Sequence, residues 1–272
     1  MNNNHLKTLE RHADNIRKDI ITMAYNARSA HSGGSLSCVD LLTVLYFSVM
    51  KINPKKPFDE NRDRFLFSKA HDIKALYSVL AQRGYFKKVI LESYEKNEGL
   101  PGHPTIRILP GVEITAGSLG HGLSIGAGMS YVGKLENKKH RVFVMLSDGE
   151  CDEGSVWEAM LFAGHHKLSN LIAIVDYNKL QSFGRTSEIL DLEPFAKKWE
   201  AFGWSVKEVN GHNISKIYTA LKKIPFVENK PSVLIAHTIK GYKGVPKYVD
   251  TVASHYKPPT EEEYRDAIKK LS

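Results

Sequence analysis

Apolar residues recur at three-to-four-residue spacing through the opening of the chain, where Leu9, Ile16, Ile20, Met23 and Ala27 predict an amphipathic helix over Leu6 to Ala30. His31-Ser32-Gly33-Gly34 breaks it. The most apolar stretch, Val39 to Met50, predicts a core helix ending before Pro54, and Asp40, Thr43 and Ser48 make it too polar to cross a bilayer. Phe65-Leu66-Phe67 predicts a short buried strand, and Ala75 to Arg83 a helix. Continuous apolar runs at Arg141 to Leu146 and Leu171 to Val175 have the character of strands buried on both faces of a parallel sheet, with a helical stretch from Ser155 to Lys167 between them. Trp204 to Val209 and Ser232 to Ala236 predict two more strands around a helix at Ile214 to Lys223. Helices alternating with strands predict an α/β fold, a doubly wound and mostly parallel sheet flanked by helices. No repeat or Pro/Gly/Ser-rich linker divides it, so residues 1–272 are expected to form a single domain.

Composition narrows the function. The chain has 272 residues, 42% of them hydrophobic, enough for a substantial core. Cys38 and Cys151 stand alone, which disfavours a disulfide framework or a zinc ribbon and fits a reducing compartment. The first twenty residues carry no apolar signal region, so a cytoplasmic location is expected. A net charge of +8 raises the question of nucleic acid. The basic residues are scattered as pairs such as Lys55-Lys56 and Lys138-Lys139 without interleaved aromatics, so the expectation is neither nucleic acid nor membrane as a partner. A phosphorylated small molecule would suit the same field.

Chemistry concentrates after the strands. Asp148 follows the Arg141–Leu146 strand and Asn178 follows the Leu171–Val175 strand. One crossover helix makes these neighbours in a parallel sheet, about 4.8 Å apart if they pair directly. Ligands of open α/β sheets bind outside the carboxyl edge, so a carboxylate and an amide oxygen converge there on a cation or an anion-bearing ligand. Mg²⁺ would find six oxygens in Asp148, Asn178, a loop carbonyl, two diphosphate oxygens and a water. Asp176 is placed to orient the same ligand from beneath. Upstream, glycines crowd from Gly99 to Gly133, where backbone must approach something closely. The spacing from Gly117 to Gly122 is G-x-x-G-x-G, unlike a nicotinamide-binding fingerprint.

The string Ser147-Asp148-Gly149-Glu150 through Asp176-Tyr177-Asn178-Lys179-Leu180 resembles the thiamine diphosphate motif, with Ser147 in place of its first glycine. With His31-Ser32-Gly33-Gly34, Ser68-Lys69-Ala70-His71, Gly102-His103-Pro104, Gly117-Ser118-Leu119-Gly120-His121-Gly122, Lys240-Gly241 and His255, the chain is similar along almost its whole length to the N-terminal half of a transketolase. That resemblance implies thiamine diphosphate and Mg²⁺ (or Ca²⁺ or Mn²⁺) as cofactors, the metal held by Asp148, Asn178 and the Leu180 carbonyl. It implies that Gly117, Ser118, Leu119 and Gly120 cradle the cofactor and that Gly149, Glu150, Glu153 and Asp176 support it. His31, His71, His103 and His255 would line the channel, binding diphosphate or sugar hydroxyls and moving protons, and His71 would serve cofactor and catalysis both. Imidazole suits this because one nitrogen donates while the other accepts near neutral pH.

The activity implied is transfer of a two-carbon ketol unit from a ketose, or its phosphate, to an aldose. In the family the glutamate that activates the cofactor lies in a further domain with no counterpart here. The expectation is therefore a split transketolase, its site completed by a separate C-terminal subunit carrying that glutamate, in a dimer of heterodimers. Departures cluster near the substrate: Ala70 replaces a glycine, Asp72-Ile73-Lys74 a run of small residues and proline, His121 a glutamine, and Thr105 an acid. They predict added charge and bulk beside the reacting carbon and a modified or nucleotide-linked sugar as substrate. The rivals are a deoxyxylulose phosphate synthase-like enzyme or a dehydrogenase α-subunit, which His31, His71 and His103 argue against, and a noncatalytic cofactor-binding subunit.

Overall fold

The computed structural model describes all 272 residues. In chain order the elements are α1 (Asn3–Asn26), α2 (Ser32–Ser37), α3 (Val39–Val44), β1 (Arg64–Phe67), α4 (Ile73–Arg83), α5 (Gly122–Leu135), β2 (Val142–Ser147), α6 (Gly154–His165), β3 (Leu171–Tyr177), α7 (Thr186–Ile189), α8 (Phe195–Ala201), β4 (Ser205–Asn210), α9 (Ile214–Leu221), β5 (Ser232–His237), α10 (Ala253–Tyr256) and α11 (Glu261–Lys270). The strands form one sheet in the order β1-β2-β3-β5-β4, parallel throughout. All five predicted strands are present. The Val39–Met50 stretch departs from expectation: α3 gives way to a π-helical turn over Leu45–Val49. A further departure is α5, which lies inside the glycine-dense segment.

Glycine lowers helix propensity but lets α5 sit against the sheet. A Cβ at Gly126 would lie 2.5 Å from Val144 Cγ2, so the close approach of α5 to β2 requires its absence.

Strand side chains alternate between two apolar layers. Phe143, Met145, Ile172, Ile174 and Leu234 pack with α1, α3, α4 and α9. Val142, Val144, Leu146, Ala173, Val175 and Ile235 pack with α5, α6 and α8. The chain steps outward from β1 to β3, passes over one position to β4, then returns to place β5 between β3 and β4. That reversal sends α9 to the face opposite α6 and α8, because each crossover keeps the same hand. Edge strand β4 stays half-exposed while β3 is buried along its whole length. No helix is long and apolar enough to cross a membrane.

Candidate active site

The carboxyl edge of the sheet gathers the chemistry. A pocket there is lined by Lys69 and His71 after β1, Ser147, Asp148 and Gly149 at the end of β2, Asn178 after β3, and Lys240 after β5. Leu119, Leu180, Gln181, Ser182, Gly34, Asp72 and His255 complete it. Roomier surface grooves of about 550 Å³ along β4 and α9 and about 440 Å³ beside α1 gather no comparable set.

Strands β2 and β3 pair directly, with Ser147 opposite Asp176, so Asp148 and Asn178 stand at adjacent tips. Asp148 is 2% exposed and accepts the N–H groups of Gly149 at 2.8 Å and Lys179 at 2.5 Å. No cationic side chain pairs with it. Burial, reinforced by the charge of Asp176, pushes its carboxyl up to about 6. A buried carboxylate held only by neutral donors is disposed to take a cation. No three His, Cys, Asp or Glu side chains converge as a ready-made metal centre, so the donors on hand are the oxygens of Asp148, Asn178 and the Leu180 carbonyl. That set fits a hard cation completed by ligand and water oxygens. Leu180 O accepts from Lys240 Nζ at 2.8 Å, which leaves it a second lone pair. Burial lowers the Lys240 ammonium from its ordinary value.

Asp176 and Glu150 are braces rather than pocket walls. Asp176 is fully buried, and its carboxylate is hydrogen-bonded by Lys69 and Thr238 and, at 2.5 Å, by the hydroxyl of Ser37. Against the cost of burial, Asp176 and then Asp72 hold the Lys69 ammonium well above its usual range. Glu150 accepts from Ser68 Oγ, from Gly120 N–H at 2.9 Å and from Ser147 N–H at 3.3 Å. It thus ties the glycine loop to the end of β2. Gly120 has φ +84°, and a Cβ there would strike Ser155 Oγ at 2.6 Å and Glu153 Cβ at 2.7 Å, so only glycine fits. Gly117 has no atom nearer a would-be Cβ than His103 at 3.9 Å, and Ser118 and Glu153 are exposed around the loop.

The four predicted histidines come together. Ring centroids lie 5.0 Å apart for His71 and His103, 5.2 Å for His31 and His71, and 4.5 Å for His31 and His255. His31 takes a left-handed conformation (φ 61°, ψ 33°) before α2, and its N–H donates to the His255 carbonyl at 2.7 Å. Burial pushes His31 and His255 down to about 4, so both are neutral donor–acceptor groups at pH 7. His103 is also lowered, by burial and then by His71, although it sits exposed at the rim.

Of the departures read from sequence, Asp72 enters the pocket 3.3 Å from Lys69, whereas Lys74 corrects the expectation of added charge beside the reacting carbon. Lys74 turns away, 1% exposed, and donates to the Ala30 carbonyl at 2.6 Å behind His31. Burial brings its ammonium down to about 8. His121 is exposed and lines no part of the pocket, Ala70 is wholly buried, and Thr105 is half-buried. Lys69 and Lys240 were visible only as parts of motifs. Their signal was a lysine directly after a strand, but their partners come from distant segments.

Residues 9–272 match the family described as transketolase, thiamine diphosphate binding domain. The chain is 41% identical over 98% of its length, and 95% of the relative's, to one of the two-part apulose-4-phosphate transketolase's chains, from Phocaeicola vulgatus. It is 40% identical over 97% of its length, and 96% of the relative's, to a 6-deoxy-6-sulfo-D-fructose transketolase subunit from a Clostridium species. Among solved structures, transketolase from Campylobacter jejuni superposes with a TM-score of 0.91 at 31% identity, covering all of this chain and 43% of that one. Transketolase from Leishmania mexicana gives 0.90 at 28%, with 97% and 41% covered, so the chain spans about two fifths of these solved transketolases. The chain belongs to the transketolase family, as an N-terminal, thiamine diphosphate-binding subunit of the kind those bacterial relatives carry.

Proposed function

We propose that the chain binds thiamine diphosphate through a divalent cation, Mg²⁺ foremost, and transfers a two-carbon ketol unit together with a separate C-terminal subunit that supplies the activating glutamate. The observation that carries the reading is the pair of adjacent strand tips, Asp148 and Asn178 beside the Leu180 carbonyl, beneath a rim of four histidines. When bound, the cofactor supplies the nucleophilic carbon and holds the two-carbon fragment. Asp148 and Asn178 hold the metal, Lys240 presents positive charge beside it, and the Gly117–Gly120 loop, with Ser118 and Leu119, receives the ring. His31, His71, His103 and His255 orient sugar hydroxyls and exchange protons with them, with His71 also facing the diphosphate. The whole chain acts as one diphosphate-binding domain in the cytoplasm.

An uncovered apolar face supports assembly. Ile125, Val132 and Leu135 on α5 lie exposed, as do Leu161 and Phe162 on α6, the two helices that follow the glycine loop and the end of β2. A dimer of heterodimers would cover them. The Asp72 carboxylate in the pocket, and relatives named for apulose 4-phosphate and for a sulfonated deoxyfructose, favour a modified sugar as substrate.

The test mixes the chain with its candidate C-terminal subunit, thiamine diphosphate and Mg²⁺. Ketol transfer absent from the isolated chain is expected. Turnover by the isolated chain contradicts the split arrangement, and a correctly assembled but inactive mixture favours a noncatalytic subunit. Clear preference for xylulose 5-phosphate with ribose 5-phosphate over modified sugars rejects the substrate assignment.

A further inference from the structure

Lys240 and Thr238 come from residues 238–241, which belong to no helix or strand. The segment is held one hydrogen bond at a time. Thr238 N–H donates to the Tyr177 carbonyl at 3.2 Å and Gly241 N–H to the Gly33 carbonyl at 2.9 Å. Between them, Ile239 N–H donates at 2.8 Å to Nε2 of His212, a side chain from the loop joining β4 to α9 that lines no part of the pocket. A backbone N–H can only donate, so Nε2 is unprotonated and the imidazole proton sits on Nδ1. Nδ1 lies 3.0 Å from Asp40 Oδ2, which also accepts from Arg17 Nη2 at 2.6 Å. Tyr242 stacks on the imidazole with centroids 3.6 Å apart, and the Arg17 guanidinium lies 5.3 Å from the Tyr242 centroid. Arg17 is 1% exposed and Asp40 3%, so α1 and α3 reach through one imidazole to the backbone that carries Lys240.

We propose that His212 is a positioning residue: Asp40 and Arg17 hold it in the Nδ1–H tautomer, and its Nε2 fixes Ile239 so that the Lys240 ammonium meets the Leu180 carbonyl beside the metal donors. This rests on the reading of the pocket as a diphosphate site. None of the three side chains touches that pocket. Their effect passes through one backbone N–H, which distinguishes them from generic core residues.

Two variants separate positioning from stability. His212→Gln puts Oε1 near the place of Nε2 and keeps an acceptor for Ile239, whereas His212→Asn donates to Asp40 but falls short of Ile239. Crystal structures of the full chain should show Lys240 on Leu180 O in His212→Gln and displaced in His212→Asn. With Mg²⁺ and the C-terminal partner present, thiamine diphosphate affinity should fall about tenfold or more in His212→Asn and less than about threefold in His212→Gln, at similar Tm. Affinities that fall equally, or Lys240 unmoved in His212→Asn, overturn the proposal. Nitrogen-15 NMR of the unsubstituted chain checks the tautomer even if a variant fails to fold, and a protonated Nε2 overturns it. Failure of the unsubstituted assembly to bind thiamine diphosphate rejects the cofactor reading instead, and the displacement of Lys240 still decides the role of His212.

Discussion

The N–H of Lys179 donates to Asp148 Oδ2 at 2.5 Å, tying the tips of β2 and β3 across the sheet edge. The other oxygen of the same carboxylate is tied to Gly149 N–H, so the group is aimed before any ligand arrives. Its burial makes the charge costly when no cation is bound. Asp148→Asn should therefore change the stability of the metal-free chain by less than about 1 kcal/mol, since a lost accepted bond offsets relief of a buried charge. Metal-dependent retention of thiamine diphosphate should fall at least about tenfold. Urea unfolding and calorimetric titration check the two arms, and unchanged affinity would remove Asp148 from the metal site.

Glu150 joins three donors from three segments, Ser68, Gly120 and Ser147. Truncation leaves them without an acceptor in a closed interior. Glu150→Ala should cost about 3 kcal/mol, and Glu150→Gln less, because one amide oxygen still accepts. Chemical denaturation measures both. A cost below about 1 kcal/mol for the alanine variant would show that the loop and strand are held otherwise.

Acid should loosen the histidine rim. His31 and His255 have folded-state values of about 4, below the ordinary 6.5 of an unfolded chain. Between those values the unfolded chain binds more protons, so the stabilisation is complete above 6.5 and is lost as pH falls toward 4. The urea midpoint should decline from pH 7 to pH 5, and His31→Gln should flatten that decline. An identical slope in the variant would mean that His31 does not carry the linkage.

The apolar face of α5 and α6 offers a direct check on assembly. Val132→Glu and Leu161→Glu fall at positions 51% and 60% exposed, so the isolated chain should lose less than about 0.5 kcal/mol. Each should weaken assembly with the C-terminal partner by about tenfold or more, since a charge would be buried in an apolar contact. Light scattering and sedimentation read the result, and undiminished assembly would place the interface elsewhere.

Much of this was legible in the chain itself. The runs at Arg141–Leu146 and Leu171–Val175 gave strands because a parallel sheet buries both faces of its centre, and Asp148 and Asn178 had to follow them. The insertion of β5 between β3 and β4 was hidden, because periodicity says nothing about lateral order. Helix α5 was hidden for the opposite reason: its glycines serve packing on Val144 and mask its helical pattern. In the site, the histidines announced themselves by residue type and motif. The roles of Asp176 and Lys69 did not, since both depend on partners from far along the chain: Ser37 and Thr238 for Asp176, and Gly34 for Lys69.

Glu150 welds the loop proposed to take the ring to the strand end proposed to take the tail, so those two cradles form one rigid casting. The four histidines instead hang from separate connections of the chain, after α1, after β1, ahead of α5 and within α10. A lineage can therefore recut the mouth of this enzyme one connection at a time, acquiring new sugars while the coenzyme socket keeps its shape.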